Sequence, residues 1–459
     1  MEAILNALKD ALGADAVRTG NAIESRYLGD WSAKSAHAPL AVVLPRDTQE
    51  VATALRLCNA ARQSVVPQGG LTGLAGGAVP TSRDVCISLE RMTGIEEIDR
   101  SAATMTVRAG TTLQTIQEAA DAAGFEFQLD LGARGTCQIG GNLATNAGGI
   151  RVIQSGTARD QVLGLEVVLA DGSVLSAMGK MIKNNTGYDL RHLFIGSEGT
   201  LGIITRAVLR LAPRPAARHT ALCALSGYES AVALLQTLKA RLGRELSAFE
   251  LMWPDFFEMG VAFSRSQQAP FSTAYPLYAL IEHTSCADDR HDSLAQTLAN
   301  QLEAGGLLDA IISQSAAQSQ SLWEIREATA EFPVKLTPIN FDISIPIGDI
   351  GRFVDACRAE FQSRWPASRS LFFGHIGDSN LHVTVDGRSI PGVAPDAVEQ
   401  GVYDLVRAFQ GSVSAEHGIG MHKRAFLGYT RSEAELACMR SIKHALDPNA
   451  ILNPGKLLS

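Results

Sequence analysis

Residues 67–79 read PQGGLTGLAGGAV, with five glycines in thirteen positions. A backbone so thinly covered presents consecutive N–H groups, and a concave run of that kind holds a pyrophosphate without a cationic side chain. Taken alone, the run also reads as a flexible turn. Its flanks are those of a built element. The β-type run Ser64–Val66 leads straight into Pro67, and upstream Asp47 and Glu50 have capping-box spacing before Val51, Leu55 and Cys58 recur at helical intervals. Val85–Leu89 and Thr104–Val107 read as strands, Leu113, Ile116 and Ala120 as a helix closed by Gly124, and Leu165–Leu175 as a hairpin turning at Asp171–Gly172.

Two further stretches share this texture. Residues 132–149 read GARGTCQIGGNLATNAGG, mixing glycine with Thr136, Asn142, Thr145 and Asn146, small polar residues suited to hydrogen bonds with a ribityl, phosphate or ring system. Residues 184–205 read NNTGYDLRHLFIGSEGTLGIIT, where Gly196, Gly199 and Gly202 let another backbone approach. The Rossmann GxGxxG after a strand and the P-loop GxxxxGK with Ser or Thr are both absent, which argues against a nicotinamide enzyme or a nucleotide hydrolase.

The three segments, in this order, resemble the flavin domain of FAD-linked oxidoreductases related to vanillyl-alcohol oxidase and p-cresol methylhydroxylase. The likeness extends over most of the chain and is strongest toward the D-2-hydroxyglutarate dehydrogenases and flavin-dependent D-lactate dehydrogenases. It implies an α+β fold: a two-subdomain FAD-binding domain of the p-cresol methylhydroxylase (PCMH) type over residues 1–212, completed by 416–459, and an α+β substrate (cap) domain over 213–415. The resemblance assigns Pro67, Gln68, Gly69, Gly70, Leu71, Thr72 and Gly73 to the FAD pyrophosphate and flavin, with Gly132, Thr136, Gly140, Gly141, Asn142, Thr145, Asn146, Gly148 and Gly149. Glu198, Gly199, Gly202 and Ile203 would line the adenine side, and Asn453 would lie near the flavin. Relatives with covalent flavin often carry a His where this chain has Leu71, so non-covalent FAD is expected.

Four of the ten histidines fall between positions 375 and 422, in GHIGDSNLH (374–382) and SAEHGIG (414–420) with His422 just beyond. His375 and His382 are seven apart, which on an unbroken strand puts them on opposite faces. A turn at Gly377–Ser379 between two strands brings both imidazoles together, and Glu416 adds a carboxylate from a distant loop. On spacing alone, two histidines and a glutamate are more often independent residues than ligands. The resemblance implies a divalent ion, zinc or similar, on His375, His382 and Glu416, with His417 taking the hydroxyl proton.

In WEIRE (323–327), Arg326 matches the family's substrate-carboxylate arginine; by itself it is also a plausible helix salt-bridge residue. Asn340 stands where relatives that bind 2-hydroxyglutarate carry Lys, Thr384 where Asn is expected, and Ser379 where Gly is expected. These departures touch the pocket for the substrate's tail; Lys335 is an alternative source of charge, and D-lactate or an apolar-tailed acid an alternative substrate. His422 and Lys423 read as a solvated loop, Trp253, Phe256 and Phe257 as core, and His283 and His291 as unpartnered at ligand spacing.

The formal net charge is −8 with no basic run, which argues against nucleic acid. No stretch approaches the roughly 18 apolar residues of a membrane span, and residues 1–12 read as a short amphipathic helix, so a cytoplasmic protein, at most peripheral to a membrane, is expected. The seven cysteines lack CxxC spacing and read as buried free thiols. The resemblance adds a homodimer and an electron acceptor such as an electron-transfer flavoprotein or a quinone. Against the dehydrogenase stand an oxidase that uses oxygen and a flavin-binding electron-transfer subunit without substrate chemistry.

Overall fold

The computed structural model describes residues 2–32, 36–285 and 293–458. Cys286 and His291 lie outside the described residues. The chain divides into two units: Met1–Gly149, Gly156–Arg214 and Glu416–Ser459 form one, and Ile150–Ser155 with Pro215–Ala415 form the other. Both mix helix and strand, giving the expected α+β class.

The first unit holds two main sheets. In one, Val17–Arg18, Ala41–Val43, Val85–Ser88 and Val65–Gln68 lie side by side, the last three mutually parallel. Parallel strands need a crossover connection, and the helix Thr48–Ala60 carries the chain from Ala41–Val43 to Val65–Gln68 on the far side of Val85–Ser88. Asp47 caps that helix by accepting from the Glu50 N–H, while the Glu50 carboxylate accepts from the Arg46 N–H. The other sheet is antiparallel, in the order Ile95–Asp99, Thr104–Arg108, Ile203–Arg210, Val162–Val168 and Val174–Ala177. Its Asp171–Gly172 hairpin is the one the sequence predicts. One core of buried aliphatic residues serves both sheets, and Ile4, Leu8 and Leu12 of the Glu2–Leu12 helix close it.

The second unit is built on one antiparallel sheet of seven strands, in the order Asp309–Ile312, Ala217–Leu225, Leu277–Ser285, Leu246–Met252, Ser370–His375, Asn380–Asp386 and Pro338–Ser344. Trp253, Phe256 and Phe257 are buried, as their composition predicts, around the start of the Pro254–Phe263 helix. No helix among the described residues is long and apolar enough to cross a membrane. Cys58, Cys86, Cys137, Cys223 and Cys357 are buried free thiols, but Cys438 is exposed on the Glu433–Leu446 helix, contrary to the uniform burial expected.

Candidate active site

Strand register brings one group of the predicted residues together. Glu250 is opposite His375, Phe373 opposite both Met252 and His382, His382 also opposite Asp342, and Thr384 opposite both Leu371 and Asn340. Cross-strand partners and residues two apart share a face. Glu250, His375, Phe373, His382, Asp342, Thr384 and Asn340 therefore stand on the same side of the sheet. The expected turn reverses the chain between the histidines: a 3₁₀ turn covers Ile376–Asp378, and Ser379 takes a left-handed conformation at φ +76°. The two imidazoles end with centroids 5.2 Å apart, edge to face. The His382 Nδ1 lies 4.0 Å from an Asp342 carboxylate oxygen.

Glu250 is the residue that sequence reading overlooked. It is fully buried on the Leu246–Met252 strand, where its carboxylate accepts from the His375 Nδ1 and, at 2.6 Å, from the Arg326 Nε. Arg326 ends the Ala316–Arg326 helix, is buried, and lays its guanidinium 4.7 Å from the centre of the Phe373 ring. Burial disfavours a charged Glu250, but the positive charges of His375 and Arg326 outweigh it and hold the carboxyl down to about 2. The signal was present: a lone carboxylate inside the apolar run LSAFELMW, residues 246–253. Asn340 is exposed, and its Oδ1 accepts from the Thr384 hydroxyl at 2.8 Å. Lys335 is exposed at the end of a short helix. His283 is buried beside Glu245, with 3.3 Å between the ring Nε2 and the carboxylate.

In the other unit, the predicted glycine segments converge. Pro67 and Gln68 finish a strand, and the Gly69–Gly73 loop leaves it against the second segment, where a side chain on Gly70 would put its Cβ 2.1 Å from the Thr136 carbonyl oxygen. The third segment runs beside the second: Gly196 and Glu198 donate their N–H groups to the Leu143 and Ala144 carbonyls. A Cβ on Gly199 would reach Pro67 at 3.0 Å, and one on Gly202 would strike Val167 at 2.5 Å. Gly140 packs on Ala109 and Gly149 on the Asp130 carbonyl, whereas Gly132 and Gly141 face open space. Ile203 opens a sheet strand, the Thr145 hydroxyl donates to the Gly141 carbonyl, and the Asn146 Oδ1 accepts from the Arg159 N–H. Gly148 directly precedes Gly149, which bridges to Asp130, and Leu71 and Thr72 follow Gly70. Asn453 ties in the C-terminal segment, its backbone N–H bonding to Val65 and its Nδ2 to the Gly77 and Glu198 carbonyls.

Glu416 and His417 begin that returning segment. The Glu416 carboxylate accepts from the Gly149 N–H at 3.1 Å. Just beyond, both Glu198 carboxylate oxygens accept backbone N–H groups, from Ile419 at 2.8 Å and Gly420 at 2.7 Å. Burial pushes the Glu198 carboxyl above its usual range, opposed by those N–H groups and the charge of Lys423. Lys423 is buried, and the His422 Nε2 meets the Ser32 hydroxyl at 3.0 Å, so this stretch is packed rather than the solvated loop its composition suggested. The cause is the glycine loop itself: the Ala75 carbonyl accepts from both Met421 and His422.

Residues 39–177 match the family model for an FAD binding domain, and residues 214–457 match that for the C-terminal domain of FAD linked oxidases. A D-2-hydroxyglutarate dehydrogenase of Xanthomonas citri pv. viticola is 39% identical over 98% of this chain and 96% of its own length. The chain belongs to the FAD-linked oxidase family, in its D-2-hydroxyglutarate dehydrogenase branch. A second enzyme of that name, from Stutzerimonas stutzeri, is 35% identical over 100% of this chain and 99% of its own. Among solved structures, p-cresol methylhydroxylase with substrate bound superposes with a TM-score of 0.78 at 16% identity, over 99% of this chain and 96% of that one, a likeness of fold.

The converging loops suit the cofactor of this FAD-linked family. Four buried side-chain acceptors around them meet no donor among the described residues: Gln68 Oε1, Gln138 Oε1, Asn142 Oδ1 and Asn453 Oδ1. Buried acceptors left without a donor are costly. A flavin carries an imide N–H and a ribityl chain of hydroxyls, the donors that such a set calls for.

Proposed function

We propose that this chain is an FAD-dependent dehydrogenase that oxidises a D-2-hydroxy acid, of the D-2-hydroxyglutarate or D-lactate class, to the 2-oxo acid. The observation that carries the reading is the sheet face where two imidazoles and two buried carboxylates stand in register, with the Arg326 guanidinium laid on Phe373. Oxidation of such an acid removes the hydroxyl proton and the C2 hydride. FAD, when bound, supplies the hydride acceptor. Arg326 binds the substrate carboxylate through its terminal N–H groups, since its Nε is committed to Glu250. His417 accepts the hydroxyl proton as a neutral imidazole. His375, His382 and Glu416 would hold a divalent ion, zinc or similar, whose charge would favour loss of that proton.

Asn340 and Thr384 carry no charge, which favours a substrate tail without a second carboxylate; the 2-hydroxyglutarate in the relatives' names favours the opposite. Leu71 offers no nucleophile to the flavin ring, so the FAD is non-covalent. Electrons pass on to a protein or quinone acceptor. Anaerobic titration of the flavin-loaded protein with D-2-hydroxyglutarate, D-lactate and their L-enantiomers tests the reading. Bleaching of the flavin bands by a D-acid, lost on chelation, is expected. A flavin that no hydroxy acid bleaches removes the activity, and stoichiometric peroxide in air makes the chain an oxidase instead.

A further inference from the structure

Glu250 touches both halves of the chemistry proposed above without belonging to either. It sits at the centre of a seven-stranded sheet with no exposed surface, and its two oxygens divide their partners: one takes the His375 Nδ1, the other the Arg326 Nε. A buried carboxylate costs several kcal/mol unless its lone pairs are answered, so both partners are needed to keep it, and it in turn fixes both. Holding Nδ1 sets the imidazole's tautomer and turns Nε2 toward any ligand. Holding Nε fixes the plane of the guanidinium, which Phe373 already supports from its face.

We infer that Glu250 is a positioning residue that couples the two sites: it presents the His375 Nε2 to a divalent cation and the Arg326 terminal N–H groups to the substrate carboxylate, so that disturbing one weakens the other. The inference rests on the roles given to His375 and Arg326 under the proposed function. A carboxylate behind a metal-bound imidazole is worth about 10- to 100-fold in metal affinity. The guanidinium half acts on substrate affinity, because an arginine free to rotate must be ordered afresh by each substrate.

The full-length protein loaded with FAD is compared with its Glu250→Gln variant. The amide keeps the volume but has one oxygen, so it cannot serve both donors. Zinc affinity is read by competition with a chromophoric chelator, and binding of a 2-oxo acid by the shift of the flavin spectrum. The expected result is zinc binding weakened about 10- to 100-fold and KM raised more than kcat is lowered, with flavin content unchanged. If the variant does not fold, Arg326→Lys takes its place: it keeps the charge but loses the Nε donor, and coupling requires weaker zinc binding although residue 326 is not a ligand. A folded Glu250→Gln protein with unaltered zinc affinity and KM overturns the inference, as does an Arg326→Lys protein with unaltered zinc affinity. If the unaltered protein itself retains no zinc in the competition, the metal assignment under the proposed function is what fails; the KM of Glu250→Gln then decides the arginine half alone.

Discussion

Ser379 occupies the left-handed turn between the two histidines at φ +76°, a conformation that costs a residue with a Cβ about 1–2 kcal/mol relative to glycine. The departure from family pattern seen in the sequence thus has a physical meaning: a backbone strain kept beside the proposed metal ligands. Ser379→Gly should stabilise the second unit by about 1 kcal/mol, measurable as a rise of roughly 2–4 °C in its melting transition; no rise would mean that the serine side chain compensates locally. His417→Gln removes the proposed proton acceptor with little change in size. Single-turnover flavin reduction should slow by about 10²- to 10⁴-fold while flavin content stays the same, and an unchanged rate would move the base elsewhere. At this scale the sequence was legible where chemistry is rare. His375 and His382 stand out by type and spacing, Arg326 by its match to the family's motif, and the turn that joins the two rings follows from Gly377–Ser379. Glu250 did not stand out, because its meaning lies in the strand opposite, 125 residues away.

The glycine segments act as elements because they pack on one another as well as facing a ligand. Gly70 is the clearest case: a methyl group there would meet the Thr136 carbonyl oxygen at 2.1 Å, so Gly70→Ala must push the first loop off the second. Overpacking of this kind costs about 1–3 kcal/mol, and the purified variant should carry markedly less flavin per chain, read from its visible absorbance. Full flavin occupancy would show that the two loops bind independently. The strands and helices around these segments were readable from periodicity, capping and turn residues, because each is decided by neighbours in sequence. What joins them was not. The Glu198 carboxylate holds the turn at Ile419–Gly420, more than two hundred residues further on. The packing of His422 and Lys423 near Ala75 was concealed for the same reason: two polar residues look like a surface loop until their partners are known.

At the scale of the molecule, the short helical stretch Ile150–Ser155 leaves the first unit and is held in the second, where Arg151 forks onto buried Glu282 with contacts of 2.8 and 3.1 Å. Burial raises the Glu282 carboxyl, but Arg151 foremost, with Arg218 and Ser247, pulls it below its ordinary value of 4.5. The folded value is therefore the lower one. The contribution to stability is complete above about pH 4.5 and fades as pH falls through the folded value. Arg151→Ala should cost about 1.5–3 kcal/mol, since it leaves buried Glu282 to Arg218 and Ser247 alone, and should flatten the acid limb of the second unit's denaturant stability; an unaltered limb would assign the acid sensitivity to other carboxylates. The same connectivity bears on the order in which the protein is made. Leu452 pairs with Val65, Asn453 bonds to Gly77, and Glu416–Ser459 belongs to the unit that Met1–Gly149 begins. A ribosome translates Pro215–Ala415 before it reaches that segment. In a nascent chain, Val65 therefore lacks its Leu452 partner and Gly77 its Asn453 bond until the whole seven-stranded sheet has been synthesised, so completion of the first unit is a late event in translation.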